Sequence, residues 1–338
     1  QAFKDLIESD VKEVIIDLRD NGGGLLTAAV NMIDMLIEKG QTIVSTKGRM
    51  KESNRSFSSR TKPIIDKDVK IAILINQGSA SASEIVAGSI QDLDRGIVIG
   101  RKSFGKGLVQ TLYPIDKIRS LKVTTARYYI PSGRFIQNND YINEKVVLES
   151  EQEDSIFTTL NGRKVLGNGG ITPDSIIFSE TMEPLTVQYW RSGFFYSFAQ
   201  ENKFQYEKFE DVENDNELMS KFNNFISTKD KVRLPGEEVL EEIEEKMTAL
   251  GKIDNKTKKA MNDLGLFFKN QKNDRMVSEN TDMKQLLLLE FAGLFNGPEG
   301  RIKQALKDDK VVQSAINILS SDNSYQMAFK NSQVIINN

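Results

Sequence analysis

The chain is 338 residues long with a formal net charge of −3, so it is large enough for two domains and lacks the basic excess that a nucleic-acid partner demands. No run approaches the ~18 consecutive apolar residues of a membrane-spanning helix. It contains neither cysteine nor histidine, which excludes thiol chemistry, disulfides, soft-metal sites and any Ser-His-Asp triad; a hydrolase built on this chain must take its base from Lys, Asp, Glu or Tyr.

In chain order, Gln1-Ala-Phe-Lys-Asp-Leu-Ile7 reads as the tail of a helix already under way. Val14-Ile-Ile-Asp-Leu18 predicts a strand, Arg19-Asp-Asn-Gly-Gly-Gly24 a glycine-rich turn, and residues 25–38 a helix with Leu26, Val30, Ile33 and Ile37 on one face. Gly40 stops that helix. Residues 42–46 return as a strand, and the polar stretch 47–68 predicts a loop or an exposed hairpin. Ile71-Ala-Ile-Leu-Ile75 has the unbroken apolar character of a buried strand. It runs into Asn76-Gln-Gly-Ser-Ala-Ser-Ala-Ser-Glu84, a turn of small residues, then a helix to about residue 92 and a strand over 96–100. Strands alternating with helices predict an α/β layer fold with a mainly parallel sheet.

Past Gly100 the texture changes. Residues 108–112 and 121–130 are extended runs rich in Val, Thr and Tyr, closed by the turn Pro131-Ser-Gly133. Residues 138–166 are acidic and irregular with short strand-like pieces, and Gly167-Asn-Gly-Gly-Ile-Thr-Pro173 is another turn cluster. From about residue 180 the chain becomes helical and strongly charged, most clearly over 239–250 and 282–294. The expected division is a core over 1–178 and a mostly α-helical C-terminal domain over 179–338.

Chemistry concentrates at two stretches. Small residues between the 71–75 strand and the following helix let the backbone bend sharply and leave a hydroxyl near the positive end of the helix. Ser79, Ser81 and Ser83 all qualify, and Ser81 with Glu84 also fits a capping box, the blander reading for any one serine. The second stretch is Gly100-Arg-Lys-Ser-Phe-Gly-Lys-Gly107. It matches G-x-x-x-x-G-K, but Gly107 stands where a magnesium-holding Ser or Thr is needed and the residues that follow are β-like. Ser103 and Lys106 match S-x-x-K, but the glycines flanking Lys106 spoil the helix that motif needs. Lys106 is then either a solvated lysine in a glycine loop or the base for a serine of the 79–83 turn. The second role requires a neutral amine, which burial would favour. Gln110, four residues on, would share its face in an extended chain and hold the amine. The residues alone leave these readings near parity.

Taken together, Asp17-Leu-Arg-Asp-Asn-Gly-Gly-Gly24, Gly78-Ser-Ala-Ser-Ala-Ser-Glu84, Phe104-Gly-Lys-Gly-Leu-Val-Gln110, Thr124-Thr-Ala-Arg-Tyr-Tyr-Ile-Pro-Ser-Gly-Arg134 and Gly170-Ile-Thr-Pro-Asp174 resemble the carboxy-terminal processing, or tail-specific, proteases, serine peptidases with a Ser-Lys dyad. The resemblance covers roughly residues 1–178. It implies a crotonase-like ββα layered protease core, with Ser81 as nucleophile, Lys106 as general base and Gln110 orienting it. It places the oxyanion donors at Gly23 or Gly24 and at Ala82; the family's usual proline is Gly22 here, which loosens that turn. It further implies a serine endopeptidase acting on protein substrates near unstructured C-terminal tails, needing no cofactor and no metal, in the cell envelope, periplasmic or secreted. It leaves open a homo-oligomer and a membrane-associated adaptor. The family's PDZ domain, expected ahead of the first strand, is absent from these residues. A catalytically silent peptide- or ligand-binding module on the same scaffold is the rival, with a nucleotide binder more distant. Asp92 sits about three helical turns from Ser81, roughly 16 Å along the axis and too far to touch its hydroxyl, so it reads as structural. Arg127 and Arg134 read as solvated, and the Glu241–Glu245 run as an exposed helix face.

Overall fold

The computed structural model describes residues 2–138, 155–167, 169–178, 182–229, 232–251 and 253–331. It divides into two compact units, residues 1–179 with 310–338, and residues 180–309.

The first unit is built on a parallel sheet in the order β1 (Glu13–Asp17), β4 (Lys70–Ile75), β5 (Ile97–Gly100), β10 (Ser175–Ile176). Its central strands are apolar without interruption because both faces are covered. Ile71, Ile73, Ile75 and Val98 point to one side, where they pack with α2 (Leu26–Asp34) and α3 (Ala82–Asp92) residues such as Ile33 and Ile85. Ala72, Leu74, Ile97 and Ile99 point to the other, against Val311, Val312, Ala315, Leu319 and Tyr325 of α11 (Lys310–Leu319) and α12 (Asp322–Asn331). A second, antiparallel sheet, β3 (Arg55–Ser58), β2 (Thr42–Gly48), β7 (Ser120–Tyr129), β6 (Leu108–Pro114), joins the first core through Ile43, Val44 and Tyr128. The fold is thus layered α/β, with the parallel sheet one of two. The short helix α1 (Ala2–Glu8) precedes β1, and the two-stranded β8 (Ile156–Thr158) and β9 (Lys164–Leu166) complete the unit; residues 139–154 of the predicted irregular stretch lie outside the described residues.

The second unit contains α4 (Pro184–Arg191), α5 (Phe194–Asn202), α6 (Phe209–Glu213), α7 (Leu218–Lys229), α8 (Pro235–Ala249), α9 (Asn255–Ser278) and α10 (Asn280–Lys307). Phe195, Phe198, Phe222 and Phe291 lie at the centre of its core. Glu279 caps α4, accepting from Thr186 N (2.7 Å) and Thr186 Oγ1 (2.8 Å). The acidic face of α8 is exposed, in agreement with its composition. No helix among the described residues is long and apolar enough to cross a membrane.

Three features differ from expectation. The helical stretch after 179 is not one body: its last two described helices return to cover the parallel sheet, because a strand pair as apolar as β4 and β5 needs a lid on each face. Helix α2 ends at Asp34 rather than 38, since the Met35 carbonyl accepts from Ile64 N at 2.8 Å and that of Leu36 from Arg95 Nε at 2.8 Å. Arg134 is fully buried instead of solvated. It donates to Asp92 Oδ1 (2.7 Å), Gln91 Oε1 (2.6 Å) and the Leu166 carbonyl (2.8 Å), and Asp92 Oδ2 accepts from Ser132 N at 2.9 Å. Asp92 is therefore a structural partner of Arg134. Removing one member of a buried ion pair strands the other charge, so Arg134→Met should cost roughly 3–5 kcal/mol in urea unfolding; the double variant with Asp92→Leu should recover part of that loss.

Candidate active site

The turn after β4 is held in an unusual conformation. Ser81 has φ 58° and ψ −113°, a backbone state that costs a non-glycine residue of order 1–3 kcal/mol and persists only when its surroundings impose it. Those surroundings are visible. The Ser81 N–H donates to Glu84 Oε2 at 2.8 Å, and the Ser81 carbonyl accepts from Glu84 N (3.0 Å), Ile85 N (3.1 Å) and the Tyr128 hydroxyl (3.3 Å).

The three serines separate by what their hydroxyls do. Ser79 Oγ donates to the Leu18 carbonyl (2.7 Å) and accepts from Asn76 N (3.0 Å). Ser83 Oγ donates to the Asn21 carbonyl at 3.0 Å. Ser81 Oγ makes no capping bond and has no hydrogen-bond partner among the described residues. Only the Glu84 half of the capping box forms, which leaves the Ser81 hydroxyl available at the N-terminus of α3.

Glu84 reaches further. Its Oε2 also accepts from Lys106 N at 2.8 Å, and its Oε1 from Gly105 N (2.7 Å) and Ser103 Oγ (2.6 Å). The backbones of Ser81 and Lys106 are thus bonded to the same carboxylate oxygen. Burial pushes the Glu84 carboxyl up, while its hydrogen bonds to Ser103, Lys106, Gly105 and Ser81 pull it down. The Phe104 N–H adds a bond to the Ser79 carbonyl at 3.0 Å. On the far side, the Tyr128 hydroxyl donates to the Lys106 carbonyl. The glycines around Lys106 make room for a neighbouring segment. A Cβ at Gly105 would sit 2.8 Å from Asn138 Cβ, and one at Gly107 2.9 Å from Gln137 N, so both admit the 135–138 segment rather than the serine helix.

No hydrogen bond joins the Gln110 side chain to Lys106 among the described residues. The strand begins at Leu108, with a register shift between Val109 and Gln110. Gln110 is exposed and its side chain makes no hydrogen bond among the described residues. Residues 101–107 form no helix and lead into a strand, which removes the phosphate-loop and S-x-x-K readings.

The glycine turn is latched to the serine turn. The Asn21 carbonyl accepts from Ala80 N (3.0 Å) as well as Ser83 Oγ, and Asn76 bonds Asp20 through Asp20 N to its Oδ1 (2.8 Å) and its Nδ2 to Asp20 Oδ1 (2.9 Å). Gly23 (φ 90°) lies directly against the serine turn: a Cβ there would be 2.5 Å from the Ala80 carbonyl oxygen and 2.7 Å from Ala82 N. The Gly23 N–H is occupied by Asn21 Oδ1 at 2.9 Å. Among the described residues the N–H groups of Gly24 and Ala82 have no such partner, and Ala82 directly follows Ser81. Among the described residues no cluster of acidic side chains could hold a metal ion.

The sequence marks Ser103 only through S-x-x-K and Glu84 only through a local cap, and does not single out Tyr128. The signal for Glu84 was its place in the capping box; nothing local marks Tyr128, which acts across 47 and 22 residues of sequence. Stability alone separates the serines. Ser79→Ala strands a buried carbonyl and an N–H and should cost about 1–3 kcal/mol, whereas Ser81→Ala should stay within about 0.5 kcal/mol of the parent in the same denaturation experiment.

A free hydroxyl on a strained strand-to-helix turn, a lysine loop tied to it and open backbone N–H groups are the parts of a serine hydrolase site. Comparison with known proteins agrees. Residues 1–147 match peptidase family S41, and residues 184–319 match the C-terminal helical domain of a probable PDZ-protease. The first of these segments, somewhat less than half of the chain, is thus similar to peptidase family S41. A carboxy-terminal-processing protease of Bartonella bacilliformis is 47% identical over 140 residues, 40% of this chain and 32% of that protein. A probable CtpA-like serine protease of Staphylococcus epidermidis is 34% identical over 191 residues, 51% of this chain and 38% of the other. Among solved structures, a photosystem II D1 C-terminal processing protease aligns at 30% identity over 53% of this chain and 38% of that one, with a TM-score of 0.40. The chain spans about a third of the length of these relatives.

Proposed function

We propose that this chain is a serine endopeptidase in which Lys106, as the neutral amine, takes the proton of Ser81 while Ser81 Oγ attacks a peptide carbonyl. The tetrahedral oxyanion is received by the N–H groups of Ala82 and Gly24. Protonated Lys106 then delivers its proton to the leaving amine, and water resolves the acyl-enzyme by the reverse sequence. Gly23 is a spacer in this reading: its missing side chain keeps the space before the Ala82 N–H open. The observation that carries the reading is the shared bonding of Ser81 N and Lys106 N to Glu84 Oε2, which commits two segments far apart in sequence to one place. The free hydroxyl of Ser81 is consistent with it.

The names of the matched relatives support cleavage near the C-termini of protein chains, and an unstructured tail could add as a strand along a sheet edge. Residence in the cell envelope, a homo-oligomeric state and a membrane-associated adaptor rest on family resemblance alone. So does a role for Gln110 in orienting Lys106.

Cleavage of an unstructured protein by the full chain tests the reading. Ser81→Ala and Lys106→Ala should each abolish turnover while leaving the fold intact by circular dichroism. No activity in the parent toward any unstructured protein would favour the silent binding module instead, whereas full activity in folded Ser81→Ala would move the nucleophile to another residue. Gly23→Ala forces a side chain against Ala80 O and Ala82 N and should lower kcat by on the order of 10²-fold or more, even in preparations that remain folded.

A further inference from the structure

We propose that Tyr128 is a positioning residue for this reaction, its hydroxyl fixing the direction in which the Lys106 side chain leaves the backbone. The proposal rests on the Ser81–Lys106 reading. Tyr128 is 2% exposed and its ring belongs to the core that includes Ile85, Val86 and Ile136. Its own N–H donates to the Gly107 carbonyl at 3.0 Å, which anchors β7 beside the lysine loop. From this rigid base the hydroxyl donates to the Lys106 carbonyl and lies 3.3 Å from the Ser81 carbonyl.

The need for such a clamp follows from the sequence around the lysine. Lys106 stands between Gly105, at φ 86°, and Gly107, and glycines leave the peptide planes on either side free to rotate. Glu84 Oε2 pins the Lys106 N–H. The Asn138 N–H holds the Gly105 carbonyl at 2.8 Å and Gln137 Oε1 holds the Gly107 N–H at 2.8 Å; the Tyr128 bond fixes the Lys106 carbonyl itself, on the peptide plane that follows the Cα. With both ends held, the Cα–Cβ bond of Lys106 has one direction, and the same hydroxyl lies against the nucleophile's own carbonyl. Misplacing a reacting group by about 1 Å is enough to cost roughly 10²-fold in rate. Burial and the nearby Glu84 charge keep the phenol protonated, so it serves as a donor and takes no part in proton transfer.

Tyr128→Phe in the full chain removes the hydroxyl and keeps the ring. The expected result is a fall in kcat of about 10- to 100-fold with KM within about threefold of the parent, and an ascending limb of the kcat–pH profile displaced from that of the parent. Tyr129→Phe, whose neighbouring hydroxyl has no such partner, should change neither. Parental kcat and pH profile in folded Tyr128→Phe would overturn the proposal. Where that variant does not fold, 4-fluorophenylalanine at position 128 fills the place of the hydroxyl without donating; the same fall in kcat is expected, and parental kcat overturns the proposal. The control is separate: activity surviving in Ser81→Ala overturns the dyad itself, whereas inactive Ser81→Ala with unchanged Tyr128→Phe removes only the clamp.

Discussion

The buried carboxylate of Glu84 is the interaction on which the site depends. Placing a charge under the N-terminus of α3 is unfavourable unless each oxygen finds donors, and Glu84 finds four, from Ser81, Ser103, Gly105 and Lys106. Burial still leaves its carboxyl raised. The sign of that effect matters: a carboxyl raised in the folded state contributes most to stability while protonated, and that contribution is lost as pH rises through the folded value. An ionised Glu84 at neutral pH is therefore a burden on the fold, and its compensation is geometric. It bends the nucleophile turn into a conformation that serine does not choose and draws the lysine loop to it.

The layered architecture makes this arrangement rigid. Strand β4 delivers the serine turn, β5 delivers the lysine loop, and the two are adjacent and parallel, with Ile75 opposite Gly100. The last residues of both strands therefore emerge at the same edge of the sheet. Helix α3 is buried along its length because it lies between the parallel sheet and the antiparallel one. The antiparallel sheet contributes Tyr128, whose hydroxyl bonds the Lys106 carbonyl and lies 3.3 Å from that of Ser81, so the serine turn, the lysine loop and β7 meet at one place.

Much of this was legible in the chain. The apolar run 71–75, the small-residue turn and the following helix appear where the periodicity puts them, and the lack of histidine directs attention to a lysine. What was not legible depends on partners distant in sequence. Arg134 follows a Pro-Ser-Gly turn and has the local texture of a surface residue, yet Asp92 and Gln91 make a buried site for it. The return of α11 and α12 could be anticipated only by asking what covers the second face of β4, since their own amphipathic pattern names no destination. Gln110 shows a different limit: spacing of four implies a shared face only along an unbroken strand, and here the strand begins at Leu108 with a register shift between Val109 and Gln110.

The glycine turn carries the same lesson into the chemistry. A glycine at position 22, where the resembled family has proline, enlarges the unfolded ensemble by an amount worth about 0.4–1 kcal/mol. In the folded chain the turn is nevertheless fixed, because Asn21 supplies three of its bonds: Oδ1 to Gly23 N, and the carbonyl to Ala80 N and Ser83 Oγ. That latch also divides the labour between the two following glycines. The bond from Asn21 removes the Gly23 N–H from use but presses its Cα against Ala82, where no side chain fits; Gly24, with open space around its Cα, keeps its N–H free. The looseness introduced by Gly22 is thus taken up by one asparagine, which ties the glycine turn to the serine turn.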